Sequence, residues 1–223
     1  VDFFGSDGVR HSSWTVSEAA SVAWLTTEFA KIPSFYIADG HHRSAAAARV
    51  AETRGGKGNS GHFLSVIFPH NQVRILPYNR VVKDLNGLSE DELVEAIKKN
   101  DFTVRELADE TIQPAKKGAY GMYLKGTWYR LIADMKYLNN PDPVEKLDVS
   151  ILQKHLLTPI LGIDDPRTSK RIDFVGGIRG IKELEKRVDS GEMKVAFVLF
   201  PTSIDELLSI ADAGKIMPPK STW

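Results

Sequence analysis

The chain has no cysteine in 223 residues, which excludes a disulfide frame, a thiolate metal site and a cysteine nucleophile. It also lacks an excess of charge. Its 29 Lys+Arg are matched by 29 Asp+Glu, so the whole surface is not an electrostatic partner for nucleic acid or membrane. No apolar stretch approaches the roughly 18 residues needed to cross a bilayer, and no signal peptide is visible. No helix-turn-helix, repeat period or low-complexity segment can be read. These absences point to a cytoplasmic, soluble protein with no membrane partner, for which nucleic acid is a poor fit. The length suits one large domain or two small ones. The start at Val1 without methionine, and the stop at Trp223 straight after Met217-Pro218-Pro219-Lys220-Ser221-Thr222, read as a fragment.

What is present alternates between helix and strand patterns. Ser17–Lys31 has a helical apolar pattern with Ser17 as N-cap, and Phe35–Ala38 reads as a short buried strand. The alanine-rich segment from Ser44 to Glu52 is predicted helical. Strands are predicted at His62–Phe68 and Val73–Leu76, with Asn71-Gln72 turning between them. A helix opens at Ser89-Glu90-Asp91-Glu92 and runs through Lys99. Phe102–Leu107 reads as a strand, and Ala119–Leu124 with Thr127–Asp134 as a hairpin turning at Lys125-Gly126. Further on, helices are expected at about Val149–Leu157, Ile178–Ser190 and Ser203–Ala213, and strands at Arg171–Val175 and Lys194–Phe200. The fold class is α+β, a mixed α/β pattern whose hairpin-rich middle argues against a pure doubly wound sheet.

The most informative residues are Asp39-Gly40-His41-His42-Arg43, between an apolar run and the alanine-rich helix. Helix N-terminal amides have no partner within the helix, and with the dipole they attract anions. Cations in that first turn oppose the dipole by roughly 0.3–1 kcal/mol each, a conflict that bound phosphate would remove. One reading makes Asp39 an N-cap paired with Arg43, with the histidines merely packing. The other gives Gly40 to close backbone approach, makes His41, His42 and Arg43 phosphate contacts, and leaves Asp39 as magnesium ligand, substrate-hydroxyl contact or cap. The strand-turn-helix context favours the second. His41 and His42 do not chelate one metal together, because adjacent helical side chains diverge by about 100°.

Other candidates are less specific. The Gly55–Gly61 run follows a helix and precedes a strand, and Lys57 is followed by Gly58, so it is no phosphate loop. Lys220-Ser221-Thr222 resembles the end of such a loop, but Pro219 stands where the glycine belongs. His11 and Trp14 fit a structural role, Trp14 in a core. Arg80 fits an anion contact or a salt bridge. No Ser/His/Asp triad can be assigned from spacing.

Ile37-Ala38-Asp39-Gly40-His41-His42-Arg43 resembles the signature of the ParB/sulfiredoxin-like proteins that include the free L-serine kinases. Asp7-Gly8-Val9-Arg10-His11, Ile75–Val82, Ala196–Thr202 and Met217–Trp223 agree in order, with Asn79 in place of the usual histidine. The resemblance implies a ParB/sulfiredoxin-like core in residues 1–80 and 171–223, with an inserted α/β subdomain at 81–170. It implies phosphoryl transfer from ADP or ATP to the hydroxyl of serine or a similar small molecule, giving O-phosphoserine, with Mg²⁺ assisting. The alternative within the same resemblance is a nucleotide-binding regulatory protein without kinase activity. On this resemblance Asp39, His41 and His42 are catalytic, and Asp39 also holds the metal. Gly40, His41, Arg43, Lys220, Ser221 and Thr222 hold the nucleotide, and His11 and Arg80 the substrate. The family's members carry a region before the position of Val1 that supplies the base, so Asp39–Arg43 is expected to be a phosphate-binding half-site.

Overall fold

A computed structural model describes residues 1–38, 40–108 and 112–222, with only the backbone at residues 41 and 42. The chain divides into two compact units, Val1–Ser65 and Val66–Trp223.

In the first unit, β1 (Asp2–Phe4) and β2 (Arg10–Ser12) pair antiparallel, with Phe3 opposite His11. Arg10 grips both oxygens of Asp2, at 2.9 and 2.6 Å. Two helices follow, α1 (Ala19–Phe29) and α2 (His41–Thr53). Glu18, not Ser17, caps α1: its carboxylate accepts from the amides of Ala20 and Ser21 at 3.0 and 2.7 Å. A carboxylate has an oxygen for each of two orphan amides, where a hydroxyl has one in all. The expected strand at Phe35–Ala38 is absent, as are those at His62–Phe68 and Val73–Leu76. Extended segments become strands only by finding a ladder partner, and these enter no ladder. Among the described residues of this unit none is buried, and Trp14, expected in a core, is 84% exposed.

The second unit is organised by one sheet. Its strands are β3 (Tyr78–Val82), β4 (Phe102–Leu107), β5 (Ala119–Leu124), β6 (Thr127–Ala133), β7 (Ile172–Gly176) and β8 (Val195–Leu199). They lie in the order β4-β6-β5-β8-β3-β7, every neighbouring pair antiparallel. The β5–β6 hairpin turns at Lys125 (φ 48°) and Gly126 (φ 81°), the two positive angles that a tight hairpin with the right twist requires. The helices are α3 (Glu90–Lys99), α4 (Met135–Leu138), α5 (Asp148–Leu152), α6 (Ile181–Asp189) and α7 (Ile204–Asp212). The whole is a mixed α+β fold, with seven α-helices and two sheets among the described residues.

Local chemistry explains the helix starts. Ser89 and Glu92 form a reciprocal capping box at α3, and Ser203 and Glu206 form another at α7. Leu93 and Ile97 on α3 are one turn apart and both buried, as are Leu184 and Val188 on α6. One face of the sheet carries Val82, Met122, Phe197 and Leu199 and packs with α3, α5 and α7. The other carries Val81, Tyr123, Ala196 and Val198 and packs with α6.

At α5 the helix changes pitch. Residues Gln153–Leu157 continue it as a π-helix, and the Thr158 amide reaches back five residues to the Gln153 carbonyl at 2.9 Å. The start of α5 is tied to β5 through Asp148. Both its oxygens accept the Gly118 amide, at 2.9 and 3.1 Å, while its carbonyl takes the Tyr120 hydroxyl at 3.1 Å. Gly118 has φ 76°, a backbone that favours glycine, and a Cβ there would fall 2.6 Å from Leu138 Cδ1, which would have to shift. Burial pushes the Asp148 carboxyl up to about 7, against the smaller pull of the Gly118 amide and Lys117.

The folded chain therefore keeps a proton on Asp148 that the unfolded chain releases near pH 4. Stability from this group is complete below that pH and is lost as pH rises through about 7. Urea unfolding of wild type and Asp148→Asn at stepped pH should show the variant gaining relative stability between pH 4 and 7, by at most about 4 kcal/mol. A pH-independent difference between the two proteins would contradict a neutral Asp148.

Candidate functional site

In the first unit the turn before α2 has its own geometry. Gly40 takes φ 85° and ψ 28°, a left-handed conformation costing a side-chain-bearing residue roughly 1–2 kcal/mol. The Arg43 side chain folds back over it: a Cβ on Gly40 would lie 3.2 Å from Arg43 Nη2. The structure thus brings together Gly40 and Arg43 of the expected cluster. Asp39 and the side chains of His41 and His42 lie outside the described residues. His11 is on β2, exposed, and stacked on Phe3 with ring centroids 5.1 Å apart. It borders an open depression of about 410 Å³ shared with Arg10 and Ser12.

In the second unit Arg80 and the C-terminal segment meet. Arg80 lies on β3, in register with Phe197 of β8, and is 4% exposed. Its guanidinium donates to the Tyr78 carbonyl and to the Lys220 carbonyl, the latter at 3.0 Å, and stands 5.4 Å from the centre of the Phe174 ring. Among the described residues no carboxylate pairs with it. Burial brings its pKa down to about 10, so it keeps its charge at neutral pH. Lys220 has φ 58°, a backbone that non-glycine residues rarely adopt, and its ammonium lies 5.5 Å from the centre of the Tyr78 ring. The next residue, Ser221, is buried, and its carbonyl accepts from the Thr202 hydroxyl at 3.1 Å. Thr222 is half-buried beside them.

Beside Arg80 opens a cavity of about 190 Å³, walled by Glu145, Ser150 and Lys154 on one side and Pro218 and Pro219 on another. Glu145 accepts from Lys154 at 2.6 Å. Sequence reasoning singled out Arg80 but missed Glu145, Ser150 and Lys154. Ser150 and Lys154 are four residues apart on one helix face, the one signal that would have grouped them. It also gave Asn79 no role. Asn79 is 2% exposed, and its side-chain oxygen accepts the Leu199 amide at 3.2 Å, stitching β3 to β8. No group of three or more metal-ligating acids, histidines or cysteines occurs among the described residues.

The hydrogen bonds from Arg80 and Thr202 hold residues 220 and 221 against the sheet. Thr202→Val removes one of them at a cost of about 1 kcal/mol, so the amides of residues 220–222 should exchange with deuterium roughly fivefold faster. Exchange in β3 serves as the internal standard. No selective acceleration would mean that the Thr202 bond does not hold the segment.

No curated protein matches the chain. Among solved structures it is similar to a free serine kinase in complex with AMP, with TM-score 0.47 and 18% identity, over 94% of this chain and 80% of that chain. A mutant free serine kinase in complex with ADP aligns with TM-score 0.44 and 17% identity, over 94% of this chain and 81% of that one. A conserved hypothetical protein from Pyrococcus furiosus aligns with TM-score 0.44 and 22% identity, over 86% and 72% of the two chains. A family model described as "Protein of unknown function (DUF1015)" matches residues 1–150, and the chain belongs to that family.

Proposed function

We propose that this protein is a nucleotide-dependent phosphotransferase, moving a phosphoryl group from ADP or ATP to the hydroxyl of free serine or a similar small molecule. The observation that carries the reading is the turn at α2. Gly40, in a left-handed conformation, opens a helix whose first turn holds His41, His42 and Arg43, with the Arg43 guanidinium folded over the glycine. The first amides of a helix have no intrahelical acceptor. Placing three basic side chains there makes sense when an anion occupies the turn. The resemblance of Ile37–Arg43 to the free serine kinase signature supplies the reaction class.

The roles are those that the resemblance implies. Gly40, His41 and Arg43 contact the nucleotide phosphates, and Lys220, Ser221 and Thr222 offer a second cationic and hydroxyl-bearing segment for nucleotide. Asp39, His41 and His42 are the catalytic candidates; His11 and Arg80 contact the substrate. Phosphoryl transfer needs mostly positioning and neutralisation of charge, which arginine, lysine and histidine supply. Mg²⁺ would spread the charge of the phosphate oxygens, and Asp39 is the residue assigned to hold it. A magnesium ion carried by one carboxylate and the substrate's phosphates needs no three-residue cluster.

Incubating the full-length protein with ADP or ATP, Mg²⁺ and serine should give O-phosphoserine, read by mass spectrometry. Nucleotide binding without a serine-dependent product would sink the kinase reading and leave a nucleotide-binding regulator. Arg43→Ala should weaken nucleotide binding at least tenfold, the loss of one charge-assisted contact. Binding as tight as wild type would remove Arg43 from the phosphate site.

A further inference from the structure

We propose that the cavity beside Arg80 binds a small metabolite through a single carboxylate group, with Arg80 as its anion contact and Ser150 and Lys154 as its polar wall. This deepens the substrate role given to Arg80 above, and it concerns binding rather than turnover.

Arg80 is a buried cation that pairs with no carboxylate among the described residues, and it donates to two backbone carbonyls. A guanidinium has five N–H donors, so donors remain for a ligand. Burying a charge without a counter-ion is costly, and a bound anion offsets that cost. Glu145 also faces the cavity but is engaged with Lys154 at 2.6 Å. Those two charges cancel, and one positive charge is left unbalanced.

One residual charge selects the ligand class. A carboxylate brings one negative charge and matches the planar guanidinium fork through parallel hydrogen bonds. A phosphate monoester brings nearly two, and sets the second against Glu145. Size agrees, since 190 Å³ is the share of about six water molecules, room for a carboxylate with a short carbon chain. Val149, Pro218 and Pro219 give that chain an apolar wall. The backbone is irregular on two sides of the cavity, at the π-helix of Gln153–Leu157 and at Lys220 with φ 58°. Both kinds of irregularity concentrate at functional positions.

The test is titration of the full chain, by calorimetry and saturation-transfer NMR, with propionate, its uncharged isostere propionamide, and inorganic phosphate. Propionate should saturate one site in the millimolar range, propionamide should bind at least tenfold more weakly, and phosphate should not displace propionate. Arg80→Gln should weaken propionate at least tenfold. Because Arg80 also holds two carbonyls, Ser150→Phe, which fills the cavity and leaves Arg80 in place, is the deciding variant if Arg80→Gln does not fold. It should lose propionate by the same factor. No saturable propionate site, equal binding of propionamide, preference for phosphate, or undiminished binding in Ser150→Phe would each overturn the proposal. None of these outcomes touches the formation of O-phosphoserine, so the two readings fail separately.

Discussion

Burial of β3 between β8 and β7 is the constraint from which the rest of the second unit follows. All five residues of β8 are buried, and so are four of the five in β3. Strand side chains alternate between faces, so Arg80 shares the face of Val82 and Phe197 while Asn79 and Val81 point to the other. A guanidinium on that face is almost wholly withdrawn from water. It takes the carbonyls of Tyr78 and Lys220 instead, and this draws the C-terminal segment across the sheet. Asn79, on the opposite face, completes the pairing by accepting the Leu199 amide.

The same rule operates at α5. Asp148 is 7% exposed and lies beside the start of β5, where the Gly118 amide is its acceptor's partner. The cavity is the space left between this anchored helix, the sheet and the Pro218-Pro219 segment. Two polar groups buried by the sheet, Arg80 and Asp148, thus set the position of the elements that wall the cavity. Each is satisfied by backbone rather than by an opposite charge, and each has its pKa moved toward the neutral form by burial.

Legibility of the fold divided along a physical line. β4, β5 and β6, with the turn at Lys125-Gly126, were readable because their alternation and turn chemistry are local; β5 pairs with the next strand in sequence, and β4 with the next but one. The starts of α3 and α7 were readable because a capping box spans only four residues. The apolar runs at Phe35–Ala38, His62–Phe68 and Val73–Leu76 misled, since an apolar run states a preference and not the presence of a ladder partner. Ser17 misled because Glu18 next to it offers two acceptors. For the candidate site, the basic turn at residues 39–43 and Arg80 stood out as residue types in unusual places. Ser150, Glu145 and Lys154 did not, because nothing local ties them to Arg80, 65 or more residues earlier.

By itself the sequence determined the capped starts of α3 and α7, the central hairpin, the α+β class and the unusual basic turn that opens α2. Each depends on residues within a few positions of one another, where propensity and hydrogen-bonding chemistry act directly. Only the tertiary structure decided that Arg80 is buried with no carboxylate partner among the described residues, that burial pushes the Asp148 carboxyl up to about 7, and that Pro218 and Pro219 line a cavity. Burial and desolvation are properties of what surrounds a group, and for these groups the surroundings come from distant parts of the chain.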